Sequence, residues 1–119
     1  MDNSFNQELS EIKKIPLFGK TKELGRILGL EGTLEILNLI DEHPRQYTDL
    51  EETIQLSHTS LLRRLTMLQN LEIIKKSPMR SKRRETHEYA LTIRGANLMK
   101  FINSYEKEIN LPTKQQKFY

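Results

Sequence analysis

The chain has 119 residues, 19 Lys and Arg against 16 Asp and Glu, a formal charge of +3, and neither Cys nor Trp. That length holds one domain with tails around one core, and without Cys there is no disulfide framework, thiolate metal site or thiol nucleophile. No apolar stretch approaches the ~18 residues of a membrane helix, the start lacks a signal peptide's basic and apolar regions, and 5 Gly with 4 Pro leave little turn chemistry for an all-β design, so a soluble, cytoplasmic and mainly helical protein is expected.

Phe5, Leu9 and Ile12 recur at i, i+4 and i+7, which predicts a short amphipathic helix ended by Pro16. Residues 1–22 thus read as an N-terminal arm available for a dimer contact, with 17–20 as a connector. A first main helix is expected from Glu23, with Leu24, Ile27 and Leu28 as its face and Gly29 and Gly32 interrupting it. The pattern resumes at Thr33 through Leu34, Ile36, Leu37, Leu39 and Ile40. His43-Pro44 stops it, because proline lacks an amide donor and restricts its predecessor.

Thr48 has Glu51 three residues on, the spacing of a capping box, and predicts a helix over 49–55 with Leu50 and Ile54 on one face. After the break at Leu56, Ser57 is a good N-cap for a helix over 58–71 whose buried stripe is Leu61, Leu65 and Leu68. Two short helices joined by a few residues give the helix-turn-helix outline. The period then changes: 73–76 and 86–92 are β-like, and the segment between them, with Pro78 and four bases, reads as a long charged hairpin tip. Thr92 caps a final helix over 93–109 bearing Leu98, Ile102, Tyr105 and Ile109 at i, i+4, i+7 and i+11; residues 111–119 read as a loose tail. The order defines a mainly α winged helix-turn-helix with a small β-hairpin wing. Its DNA-binding part would span 23–92 and its dimerisation helix 93–110.

Charge is segregated along this order. Residues 31–60 hold seven acids and one base, whereas 61–84 hold eight bases and one acid, which favours a polyanionic partner at the second region. At about 100° per residue, Arg63 lies about 200° from Leu61, Thr59 about 160° and Thr66 about 140°, all opposite the core stripe. Ser60 and Arg64 flank that face, while Ser57 and His58 open the helix. An α-helix fits the major groove of double-stranded DNA, and Arg, Ser and Thr bond to base edges or phosphates. Arg63 is the first candidate to read a base, with a phosphate contact as the competing role. The basic tip carrying Arg80, Lys82, Arg83 and Arg84 suits the backbone or a narrow minor groove. Strand alternation sends Lys75 and Lys76 to opposite faces.

Three motifs carry a family resemblance. Pro44-Arg45-Gln46-Tyr47-Thr48-Asp49-Leu50 is similar to "P-R-R-F-x-E-L", and Leu61-Leu62-Arg63-Arg64-Leu65-Thr66-Met67-Leu68 to "L-x-x-R-L-x-x-L". Tyr89-Ala90-Leu91-Thr92-Ile93-Arg94-Gly95 resembles "Y-x-L-T-x-x-G", the most specific of the three. In this order they resemble the HxlR-type winged-helix regulators, with ArsR and MarR relatives behind them. The departures are Leu30-Glu31-Gly32 in place of "G-K-W", Glu72 in place of a Gly before the first wing strand, and no N-terminal Cys, which excludes thiol sensing. The resemblance implies homodimeric transcription regulators whose terminal helices pair, and the stripe of Leu98, Ile102, Tyr105 and Ile109 fits that role. Its alternative is packing onto the chain's own core.

Catalysis has little support. His43, His58 and His87 lack metal-ligand spacing, Glu51 and Glu52 diverge on a helix, and there is neither a glycine-rich phosphate loop nor a G-x-S-x-G elbow. No cofactor or metal is expected, and no residue signature marks a small-molecule effector. Two alternatives remain at this point: a winged-helix module that binds an acidic protein, and a nucleoid-type DNA binder with little sequence preference.

Overall fold

Apolar residues spaced by three and four draw five helices around a small sheet in the computed structural model, which describes residues 17–80 and 85–110. In chain order these are α1 (Gly19–Leu28), α2 (Thr33–Glu42), β1 (Arg45–Gln46), α3 (Tyr47–Thr53), α4 (His58–Asn70), β2 (Ile74–Arg80), β3 (Glu85–Leu91) and α5 (Ile93–Ile109). The sheet is antiparallel with β3 at its centre, in the order β1-β3-β2. Ile27, Ile36, Leu37, Leu50, Leu61, Leu65, Leu68 and Ile74 are buried to 2% exposure or less, so every helix before the wing and the first wing strand contribute to one core.

Within the described residues the expected elements are present, with shifted edges; the expected helix carrying Phe5, Leu9 and Ile12 lies outside them. α1 begins at Gly19 rather than Glu23, so Gly19 and Lys20 of the expected connector lie in its first turn, entered through Phe18 in the left-handed region at φ 58°. α3 begins at Tyr47, one residue ahead of the expected Thr48 cap, and Gln46 stands at the N-cap with no side-chain capping bond. The cause is β1: Arg45 and Gln46 pair with Tyr89 and Glu88, so the chain passes directly from a strand into the helix. This strand has only two residues, too few for a period-2 pattern to reveal. β2 runs on to Arg80 through Pro78, which an edge strand tolerates. The hairpin tip is correspondingly shorter than the hydropathy pattern suggested.

Two polar junctions hold this frame. The Arg45 guanidinium bonds through Nε to the Leu39 carbonyl at 2.9 Å, and pairs with Asp49 at 3.1 Å and Glu42 at 2.9 Å. One side chain therefore closes the end of α2 and fixes α3 beside it. At the wing's base Thr92 caps α5: its Oγ1 accepts from the Gly95 amide at 3.0 Å and donates to the Glu72 carbonyl at 2.6 Å. Gly95 sits so close to β2 that an added Cβ would lie 2.0 Å from the Ile73 carbonyl oxygen. Leu91, Thr92 and Gly95 are thus one packing unit, the physical content of the "L-T-x-x-G" part of the motif. Glu72 adopts φ 58°, a left-handed turn that suits glycine, and Arg94 pairs with its carboxylate at 2.9 Å.

Gly95→Ala should lower stability by about 2 kcal/mol or more, because the obstructing atom is backbone and cannot rotate away. Thermal unfolding followed by circular dichroism should show a Tm drop of roughly 10 °C. Arg45→Ala leaves a carbonyl and two carboxylates without their common partner and should cost about 2–4 kcal/mol, read from the denaturant midpoint.

Candidate nucleic-acid interface

The recognition helix, α4, owes its orientation to its ends and its apolar stripe. Ser57 Oγ accepts from the Ser60 amide at 3.1 Å, satisfying one of the free donors of the first turn. Leu61, Leu65 and Leu68 are essentially inaccessible, and each such burial stabilises by about 1.5–3 kcal/mol. A turn of α4 about its axis would expose them. The opposite face is therefore fixed toward solvent, and Thr59, Arg63 and Thr66 are exposed there, with Leu62 at its edge. Arg63 makes neither an ion pair nor a hydrogen bond among the described residues.

The two neighbouring arginines differ. Arg64 is half-buried and its Nε donates to the Glu31 carbonyl at 3.2 Å, so this side chain ties the recognition helix to the α1–α2 turn. Ser60 is half-buried and Ser57 serves as the cap. His58 is exposed at the start of α4; its Nδ1 is hydrogen-bonded to the Tyr47 hydroxyl and lies 3.4 Å from Glu51 Oε2, and its ring meets that of Tyr47 edge-on. Burial, then the nearby Glu51 carboxylate, raise the Tyr47 phenol above its ordinary pKa.

The wing's register resolves the two lysines. Ile74, Lys76 and Pro78 pair with Leu91, Tyr89 and His87, so these six share one face of the ribbon. That face begins in the core with Ile74 and Tyr89 and continues outward as Lys76 and His87, toward α4. Lys75, paired with Ala90, is on the other side. A cleft of about 330 Å³ lies between helix and ribbon, lined on one side by His58 and Leu62 and on the other by Lys76 and His87. Sequence reasoning passed over Lys76, His87 and Tyr47 as contact residues; the strand period was the available signal, but only the register says which face meets the helix. Arg80 is the last residue of β2, and Lys82, Arg83 and Arg84 lie outside the described residues.

The terminal helix divides the predicted stripe. Leu98 and Ile102 pack half-buried against the chain's own core. Tyr105 and Ile109 are exposed, joined by Phe101, which the i, i+4, i+7 spacing did not select. Phe101 and Tyr105 stack with centroids 6.4 Å apart. Phe5, Leu9 and Ile12 lie outside the described residues. A cavity of about 670 Å³ opens at the opposite end of the recognition helix, between α1 and α5, floored by Leu24, Leu71 and Leu98 with Lys20 and Arg94 among its polar lining. Among the described residues no cluster of His, Asp and Glu is disposed to hold a metal ion, and no helix is long and apolar enough to cross a membrane.

A capped helix with an uncovered polar face, a preceding short helix and a two-stranded ribbon beside it make up the winged helix-turn-helix of DNA-binding transcription regulators. The chain belongs to the HxlR-like helix-turn-helix family, whose sequence model matches residues 27–116. It is similar to a MarR-family transcriptional regulator from Porphyromonas gingivalis at 26% identity, over 76% of this chain and 91% of that one, with a TM-score of 0.61. The reduced form of the regulator YodB from B. subtilis is similar at 22% identity, over 75% and 87% of the two chains, with a TM-score of 0.66. MepR from S. aureus, solved as a DNA complex, shares 18% identity over 98% and 91%, with a TM-score of 0.64. At those last two identities the likeness is one of fold. No curated protein sequence matches this chain significantly.

Proposed function

We propose that this chain is a sequence-specific, double-stranded DNA-binding transcription regulator that acts as a cytoplasmic homodimer. The observation that carries the reading is the rotation of α4: Leu61, Leu65 and Leu68 are buried while Arg63, Thr59 and Thr66 are uncovered together. In this reading α4 enters the major groove, Arg63 reads a base edge, and Thr59, Ser60 and Thr66 bond nearby. Ser57 and His58 approach phosphate at the start of the helix, and Arg64 adds charge from its anchored position. Arg80, Lys82, Arg83 and Arg84 place the wing on the backbone or in the minor groove. Family membership and a structural neighbour solved with DNA support the same partner.

Two copies pair through α5 in this reading. Phe101, Tyr105 and Ile109 form an exposed apolar row over one helix face, and Leu98 and Ile102 brace it from beneath. A two-fold dimer presents two recognition helices to half-sites one turn apart, roughly 34 Å, on a pseudo-palindromic duplex.

Fragments selected from genomic DNA supply the duplex for binding assays. Affinity should fall steeply with salt, as counterions displaced from phosphates return. Arg63→Ala should reduce preference for the selected site over random duplex by about 1–3 kcal/mol. Unchanged discrimination would remove Arg63 as a base reader, and equal affinity for all duplexes by the wild type would favour a nucleoid-type binder. If duplex is not retained at low salt while an acidic protein is, the chain is a protein-binding module. The double variant Phe101→Glu/Tyr105→Glu should sediment as a monomer, with the circular dichroism of the wild type and reduced affinity for two-half-site DNA. Dimers persisting in that variant would exclude this face.

A further inference from the structure

We propose that the cleft between recognition helix and wing seats one backbone phosphate of the bound duplex, held by His58, Lys76 and His87, with Tyr47 orienting the His58 ring from behind. This rests on the DNA-binding reading above and adds a contact between its two expected elements.

The chemistry of the cleft is one-sided. Its walls bring together two imidazoles and an ammonium from three elements, α4, β3 and β2, and no carboxylate lines it among the described residues. Phosphodiester oxygens only accept hydrogen bonds, so a concave set of nitrogen donors suits them, whereas reading a base edge asks for a planned mixture of donors and acceptors. Lys76 Nζ stands 5.9 Å from the centroid of the buried Tyr89 ring, within reach of a cation–π attraction that favours this placement.

His58 is prepared for this contact from behind. Its Nδ1 is taken by the Tyr47 hydroxyl, with the Glu51 carboxylate 3.4 Å away, while Nε2 has no hydrogen-bond partner among the described residues. Tyr47 has one hydroxyl proton, and the Glu51 carboxylate accepts hydrogen bonds beside both that hydroxyl and Nδ1. When the ring is charged, both nitrogens carry protons. Nδ1 then donates to the Tyr47–Glu51 pair, and Nε2 is left as a donor toward the cleft. Tyr47 is thus a positioning residue.

Seating a phosphate also makes binding respond to acidity. Imidazoles change charge between about pH 5 and 8, and a phosphodiester beside them favours the charged form. The charged and titratable groups facing the two rings are Tyr47 and Glu51 from α3, Lys76 from β2 and Tyr89 from β3. Binding that takes up protons strengthens as pH falls, by up to tenfold per pH unit for each proton.

The test uses the full chain and a fluorescent duplex, with anisotropy measured at constant ionic strength at about pH 6 and about pH 8. The wild-type Kd should rise several-fold between them. His58→Gln and His87→Gln should each flatten that dependence, and His43→Gln, altered at the exposed end of α2, should keep it. Tyr47→Phe should weaken binding several-fold, and in the His58→Gln background it should add nothing further, because Tyr47 acts through His58. A wild type that binds duplex equally at both pH values overturns the phosphate seat and leaves the DNA-binding reading standing. So does a slope unchanged in both histidine variants. A Tyr47→Phe defect that persists in full in the His58→Gln background overturns the role of Tyr47. Absence of duplex binding by the wild type at low salt overturns the underlying reading and this proposal with it.

Discussion

Burial of Leu61, Leu65 and Leu68 is the constraint on which the rest of the molecule depends. These side chains hold α4 at one rotation against Ile36, Leu37, Leu50 and Ile74, members of the same core cluster. A helix with one fixed inner face has one fixed outer face, so the presentation of Arg63 is a by-product of hydrophobic packing. The same constraint separates Arg63 from Arg64, adjacent in sequence but far apart in role. One points to solvent, and the other is hydrogen-bonded to the turn between α1 and α2.

Much of the fold was legible because its signals are local and periodic. The 3.6-residue spacing located α2 and α4, Ser57 and Thr92 marked helix starts that the structure keeps, and Pro44 marked a stop. The three family motifs likewise acquire physical explanations. Arg45 and Asp49 are partners in one ion pair, and Thr92 and Gly95 are partners in one cap. What the pattern missed depends on tertiary register. β1 exists only because β3 lies alongside it, and that pairing moved the start of α3 ahead of Thr48. The face of Lys76 follows from its pairing with Tyr89, and the split of the α5 stripe follows from where the core ends. Spacing along a helix says which residues align, and not how far along its length the supporting core extends.

The candidate interface is a joint construction of α3, α4 and the ribbon, and its residues are held by different means. Ser57 and Arg64 are engaged with backbone groups, His58 with side chains of α3, and Lys76 with the Tyr89 ring. Arg63 has no side-chain partner among the described residues. Anchored donors beside an uncommitted arginine suit a division between positioning on the sugar-phosphate backbone and reading of base edges. Two carboxylates of the acidic half are engaged elsewhere: Glu42 and Asp49 are paired with Arg45.

Pro78 has a consequence beyond local geometry. It stands midway along β2, the outermost strand of the sheet, and it carries no amide hydrogen. The rim of the ribbon is therefore interrupted as a template for further strand addition, the usual route by which exposed β-edges stick to one another. Neighbouring copies can therefore lie side by side without their ribbons zipping into a shared sheet.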